Sequence, residues 1–128
     1  YNPGDIVIAA KPDYKDGESI VKRIIAVEGQ VVDINDETGT IYVDGVELAE
    51  PYISSVTDKK GDMAFPCVVA DDCFFVLGDN RDESLDSRYT VIGQIHISEI
   101  QGKVICLVVP GTNDGEFAFE IDRIGSID

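Results

Sequence analysis

Two stretches of this chain hold residues able to do acid–base or nucleophilic chemistry. The first is the run Ile20-Val21-Lys22-Arg23-Ile24-Ile25-Ala26-Val27, in which two adjacent cations interrupt an otherwise apolar strand pattern. Period-two alternation puts Lys22 on one face with Ile20, Ile24 and Ala26, and Val21, Arg23, Ile25 and Val27 on the other. Both faces are apolar, so at least one of the cations lies against the core, where an ammonium loses hydration and its pKa falls. A lysine made neutral in this way can take a proton from a serine hydroxyl. In the opposing arrangement both side chains run their aliphatic stems along a sheet edge and keep their charges in water.

The second stretch is GDNRDESLDSR, Gly78 to Arg88, directly after the apolar run CFFVLG. Arg88 can hold Asp86 in a two-pronged guanidinium–carboxylate bond, and Arg23 can make the same kind of bond from the strand, giving a rigid charged frame. Ser84 and Ser87 supply hydroxyls that could orient a lysine amine. A solvated turn with chance surface pairs, each contributing little, is the alternative.

The elements that must carry these residues read almost entirely as strand: DIVIAA, SIVKRIIAV, GQVVDI, TIYV, VELAE, MAFPCVV, CFFVLG, GKVICLVV and FAFEI are short, rich in Val, Ile and aromatics, and separated by turn residues. Asp44-Gly45 marks a two-residue hairpin, because both central positions favour positive φ. NDETG and GTNDG read as longer turns. The best helical candidate, around Asp82 to Tyr89, is too short and too polar. The expected fold class is mostly β with few or no helices. Residues 1–128 are expected to form a single domain, with a small β insertion at about residues 33–66.

Composition narrows the function. With 10 Lys plus Arg against 25 Asp plus Glu, a net charge of -15, a nucleic-acid backbone or an anionic membrane surface is a poor direct partner. No apolar run reaches the roughly 18 residues of a membrane helix, so the piece itself is expected to be soluble. It begins at Tyr1 and enters strand-like sequence within a few residues, as a piece excised from a longer protein would. Of the three cysteines, Cys67 and Cys73 flank VVADD and could face each other across a hairpin at disulfide distance, whereas Cys106 sits in VICLVV as a small apolar residue. DINDETGTIYVD begins like a calcium loop, but its glycine stands seventh, its twelfth residue is Asp44, and its flanks are strands. No metal site is expected.

Taken in order, the motifs resemble bacterial type I signal peptidases over most of the chain. PGDIVI (Pro3 to Ile8) is similar to the stretch after that family's serine box, VKRIIAVEGQ (Val21 to Gln30) to its lysine box, and IYVDGVELAEPYI to the segment after the lysine box. GDNRDESLDSR is similar to its most distinctive box, and YTVIGQI followed by GKV continues the resemblance. The resemblance implies a signal-peptidase or LexA-like β-sheet core. It also implies removal of N-terminal signal peptides from exported proteins after small residues (Ala-X-Ala), by a serine–lysine dyad without metal or organic cofactor. By this resemblance Lys22 is the general base, Arg23 a structural cation, Ser84 the hydroxyl that fixes the amine, Asp86 and Arg88 the supporting ion pair, and Gly78 the residue that leaves the lysine room. Val21 and Val7 would line shallow pockets for small side chains, with the substrate extended along the strand through Ile20.

The implied partners are signal peptides of exported preproteins and, through an N-terminal anchor absent from this sequence, the outer face of the bacterial cytoplasmic membrane. The family's nucleophile lies in a serine-methionine-any-proline segment shortly before the GD of PGDIVI. None of Ser19, Ser54, Ser55, Ser84, Ser87, Ser98 or Ser126 has that context. The serine is therefore expected upstream of Tyr1, and these residues alone are expected to be inactive. The short stretch from Lys22 to Gly78 resembles the compact forms of Gram-positive bacteria, and His96 is misplaced for relatives that replace the lysine with histidine. Two alternatives remain: a LexA-like autoprotease, which shares the lysine strand but lacks the last box, and a catalytically inactive peptide-binding homologue.

Overall fold

The computed structural model describes residues 1–12, 14–35, 37–49, 61–81 and 85–105. Nine strands are found there: β1 Ile6–Ala10, β2 Ser19–Val27, β3 Val31–Ile34, β4 Ile41–Val43, β5 Val46–Glu47, β6 Cys67–Val68, β7 Cys73–Leu77, β8 Ile95–His96 and β9 Ile100–Lys103. Two single 3₁₀ turns, Lys15–Gly17 and Ile97–Glu99, are the helical elements among these residues, so the fold is mostly β. None is long and apolar enough to cross a membrane. The strands form two antiparallel sheets, one of five strands in the order β8-β7-β2-β1-β9 and one of four in the order β5-β4-β3-β6.

β2 is the spine of the larger sheet. Five of its nine residues are β-branched, which suits a pleated surface covered on both sides. One face packs Ile25, Ala26, Phe75 and Leu77 against Val32, Ile34, Ile41 and Val69 of the smaller sheet and its connections. The other face gathers Val7, Ala9, Ile24, Phe74, Val76, Ile92 and Ile95. The expected strict alternation fails within this strand. The β2–β7 register shifts between Ile24 and Ala26, a bulge that turns Ala26 onto the face of Ile25 and leaves Val27 beside the cluster of Ile24.

Asp44 and Gly45 both take positive φ, 53° and 79°, and close the β4–β5 hairpin as their dipeptide demands. Among the described residues of VELAE, Val46–Glu47 form a strand, and MAFPCVV does so only over Cys67–Val68, where Pro66, lacking an amide hydrogen, precedes the ladder. The last described strand starts earlier than GKVICLVV suggests, at Ile100, and the two residues of β8 are too few to leave a periodic signal. FAFEI, GTNDG and Cys106 lie outside the described residues.

The Cys67–Cys73 hairpin pair that the spacing allowed is not formed: both thiols are free. Cys67 belongs to β6, which pairs with β3, and Cys73 to β7, which pairs with β2 and β8, so the two are not hairpin partners. The side-chain amide of Gln94 instead donates to the Cys67 sulfur at 3.4 Å and to the Val68 carbonyl at 2.9 Å. Burial pushes the Cys73 thiol above its ordinary pKa.

The strap Gly61–Met63 crosses the end of the polar box. Met63 donates its amide to the Arg88 carbonyl at 3.0 Å, and Asp62 accepts from the amide and hydroxyl of Thr90 at 2.7 and 2.9 Å. A Cβ on Gly61 would stand 2.1 Å from the Arg88 carbonyl oxygen, at a φ of +77° that already disfavours other residues. Gly61→Ala is therefore expected to cost about 2–4 kcal/mol, read from the urea midpoint at unchanged m-value.

Candidate functional site

Lys22 lies at the middle of β2, where it is 4% exposed. On one side it is the register partner of Val7 in β1. On the other, Arg23 pairs with Leu77 and Ile24 with Val76. The same register carried one residue further sets Gly78 opposite Lys22, just past the end of β7. Gly78 is buried at that position.

Gly78 is held by the polar box that follows it. Its amide donates to Asp86 Oδ2 at 3.1 Å. Asp86 Oδ1 accepts from the amide and Nε of Arg88 at 3.1 and 2.9 Å, and Oδ2 accepts from Arg88 Nη2 at 2.9 Å. Both side chains of this ion pair are 0% exposed. Arg81 is buried beside them, its Nε donating to the Gly78 carbonyl at 2.6 Å while its own carbonyl accepts from Arg88 Nη2 at 2.8 Å. With their charges opposed and the carboxylate oxygens accepting from Gly78 and Arg88, Asp86 and Arg88 meet the conditions under which an ion pair persists away from water.

Arg23 faces away from Lys22 and pairs with a carboxylate that sequence reasoning passed over. Its Nε and Nη2 fork onto Asp79 Oδ1 and Oδ2 at 2.9 and 2.7 Å, and Nη1 donates to the Gly4 carbonyl at 3.0 Å. This bond ties the start of the chain, β2 and the residue after Gly78 together. The available signal was an acid next to that glycine, but its use depends on the β2–β7 register.

Ser87 does not orient the lysine. Its hydroxyl accepts from the Val76 amide at 2.9 Å and donates to the Gly93 carbonyl at 2.7 Å, and its amide donates to the Val76 carbonyl at 3.0 Å, so it acts as a rung beside β7. Ser84 lies outside the described residues, as do Ser54, Ser55 and Ser126. The hydroxyl of Ser19 donates to Gln101 at 2.7 Å, and His96 caps the second 3₁₀ turn, its Nδ1 accepting from the Ser98 amide at 3.1 Å with the Ser98 Oγ 2.8 Å away. His96 is an exposed residue of β8.

Of the residues expected to line substrate pockets, Val7 and Ile20 share the face of Lys22, whereas Val21 points to the opposite face. Val7 and Val21 are 0% and 2% exposed, so Ile20, half-buried, presents the accessible surface. β2 pairs with β1 through Ser19–Arg23 but with β7 only from Arg23 onward. Among the described residues, no strand pairs with Ser19–Val21 on the β7 side. Within the described residues this stretch of extended backbone therefore lacks a ladder partner on that side, immediately before the buried lysine.

A polar cleft lies at the Ala10 end of β1, lined by Lys11, Cys73, Gln94, His96 and Glu99 among others. Lys11 Nζ bonds Glu99 at 2.8 Å and the Gln94 carbonyl at 2.7 Å. Burial pushes the Glu99 carboxyl up, but the hydrogen bonds from Lys11 and the His96 amide, with the charges of Lys11 and His96, outweigh it and leave the pKa below its ordinary value. A depressed carboxyl stabilises the fold above its unfolded pKa of about 4.3, and that contribution fades as pH falls through the lower folded value. The pair is near solvent, so Glu99→Gln is expected to lose less than about 1 kcal/mol at pH 7 and to match the parent near pH 2 in urea melts. Among the described residues, no group of three or more His, Cys, Asp or Glu is arranged to hold a metal ion.

The family model for signal peptidase, peptidase S26, matches residues 1–109. The chain is 34% identical over 120 residues to a probable signal peptidase I-1 of Synechocystis, covering 88% of this chain and 57% of that protein. It is 33% identical over 121 residues to signal peptidase I P of Bacillus subtilis subsp. natto, covering 88% of this chain and 62% of that protein. The chain thus spans little more than half the length of these curated relatives. A crystal structure of a signal peptidase I from Enterococcus faecalis matches with a TM-score of 0.62 at 27% identity, over 82% of this chain and 97% of that one. With a family match that runs through both the buried lysine of β2 and the polar box, the chain belongs to the signal peptidase, peptidase S26, family.

Proposed function

We propose that this chain carries the lysine half of a serine–lysine endopeptidase site, which cuts signal peptides from exported preproteins after small residues. The observation that carries the reading is Lys22, 4% exposed at the point where β2 changes from an open edge to a paired strand. Shielding from water is the setting in which a lysine amine can act as a base. A peptide laid along Ser19–Val21 would add a strand to the sheet, and this backbone pairing would bring a carbonyl up to Lys22 irrespective of sequence. Selection for small side chains would then fall to Ile20 and the tight packing around Val7 and Val21.

In this reading the nucleophile is a serine outside the described residues. The Lys22 amine takes the hydroxyl proton as the oxygen attacks the substrate carbonyl, and the resulting ammonium passes that proton to the leaving amine. The neutral amine next removes a proton from water as that water attacks the acyl-enzyme, and the ammonium returns the proton to the departing serine oxygen. Asp86, Arg88 and Gly78 hold the wall against which the lysine works, and Ser84 would fix the amine. The Arg23–Asp79 fork holds the strand ends in register. Membrane anchorage, with the site at the outer face of the bacterial cytoplasmic membrane, belongs to the same proposal, as does the absence of a nucleic-acid partner.

The test is cleavage of a peptide bearing an Ala-X-Ala site by the full-length protein in lipid or detergent, with products identified by mass. Cutting after the second alanine, lost when that residue is made bulky, is the expected result. Binding without cutting would replace this reading with that of a peptide-binding homologue.

A further inference from the structure

We infer that Arg81 is a positioning residue for Lys22, acting through the two peptide groups that flank the Gly78 Cα. The inference rests on the reading of Lys22 as the base. Four residues close a ring of hydrogen bonds. Arg88 Nη2 donates to Asp86 Oδ2, which also accepts the Gly78 amide; the Gly78 carbonyl accepts Arg81 Nε; and the Arg81 carbonyl accepts Arg88 Nη2 again. Arg81, Asp86 and Arg88 are each 0% exposed.

Within this ring the Gly78 amide and carbonyl belong to successive peptides, so the Cα between them is held from both sides. The register places that Cα opposite Lys22, and neither peptide can rotate without breaking a buried bond. Asp86 alone fixes only the first peptide. Arg81 fixes the second and so sets how closely the end of β7 approaches the lysine. A fully buried guanidinium is a costly way to shape a turn, since its charge must leave water. Its position makes sense as a clamp on the wall that keeps water from the amine.

The experiment compares the full-length protein with Arg81→Met and Arg81→Lys, measuring kcat and KM on an Ala-X-Ala peptide across pH, with folding checked by circular dichroism. In Arg81→Met, kcat is expected to fall about 100-fold with KM changed less than about 3-fold. The acid limb of kcat is expected to move up by about one pH unit as water reaches the amine. Arg81→Lys, which can still donate to the Gly78 carbonyl, is expected to recover part of both.

An unchanged acid limb in Arg81→Met, with kcat within about 2-fold of the parent, overturns the inference while leaving the base reading intact. Failure of both variants to fold also overturns it, because Arg81 would then be a requirement of folding alone. If the unmodified protein shows no acid limb below the ordinary lysine range, the base reading falls and takes this inference with it.

Discussion

Lys22→Ala in the full-length protein is expected to lower kcat on an Ala-X-Ala peptide by about 10⁴-fold or more, with little change in KM. The split between the two constants follows from the geometry. Substrate affinity would come from backbone pairing along Ser19–Val21, which the substitution leaves in place, whereas the proton transfer has no other described candidate at that point of the strand. Arg23, the adjacent cation, points to the opposite face and is forked onto Asp79. Lys22→Arg is expected to be as inactive as alanine, since guanidinium stays charged and cannot serve as a base at neutral pH. Loss of binding together with turnover would instead make Lys22 a structural residue, and retention of activity would remove it from the chemistry altogether.

Arg88→Met is expected to destabilise the fold by about 3–5 kcal/mol, because it leaves the Asp86 carboxylate buried without its counter-charge. The side chains of the pair are 0% exposed, and Arg88 Nη2 also holds the Arg81 carbonyl, so one substitution breaks both the ion pair and the ring around Gly78. The double variant Asp86→Leu with Arg88→Met removes both charges and is expected to be more stable than Arg88→Met alone. Urea titration of the parent, the single variants and the double variant closes a double-mutant cycle. Additive losses would show that the two residues do not depend on one another. If the double variant is stable yet inactive, the pair serves to position Gly78 and its stability contribution is secondary.

Both stretches singled out in the sequence meet in the candidate site, for reasons that differ in how far they reach. β2 coincides residue for residue with the run SIVKRIIAV, because five β-branched residues between turn signals leave little else for the chain to do. The Asp86–Arg88 bond was legible because the partners are two residues apart in a segment too polar to be buried unpaired. The Arg23–Asp79 fork was not, since its partners are 56 residues apart and meet only through the β2–β7 register. Ser87 was misread for a related reason: its hydroxyl satisfies the Val76 amide and the Gly93 carbonyl, groups whose needs depend on tertiary packing. The bulge in β2 left no trace because Ile24, Ile25 and Ala26 are all apolar and fit either face. Arg81 looked like any arginine in a charged loop until the ring closed around it.

The bulge has a consequence for moving this site into another protein. Upstream of it β2 presents Ile20, Lys22 and Ile24 in one phase, and downstream Ala26 and Val27 take the other, so a single strand serves two cores through one inserted residue. A one-residue slip in a uniform strand would turn Lys22 to the opposite face. Here the side chains beyond Ile25 lock the offset from a distance, with no contact to the amine required. A graft that copied Lys22, Gly78 and the polar box onto a regular host sheet would therefore import the proposed base without the phase reference, and the bulge belongs among the parts to be transplanted.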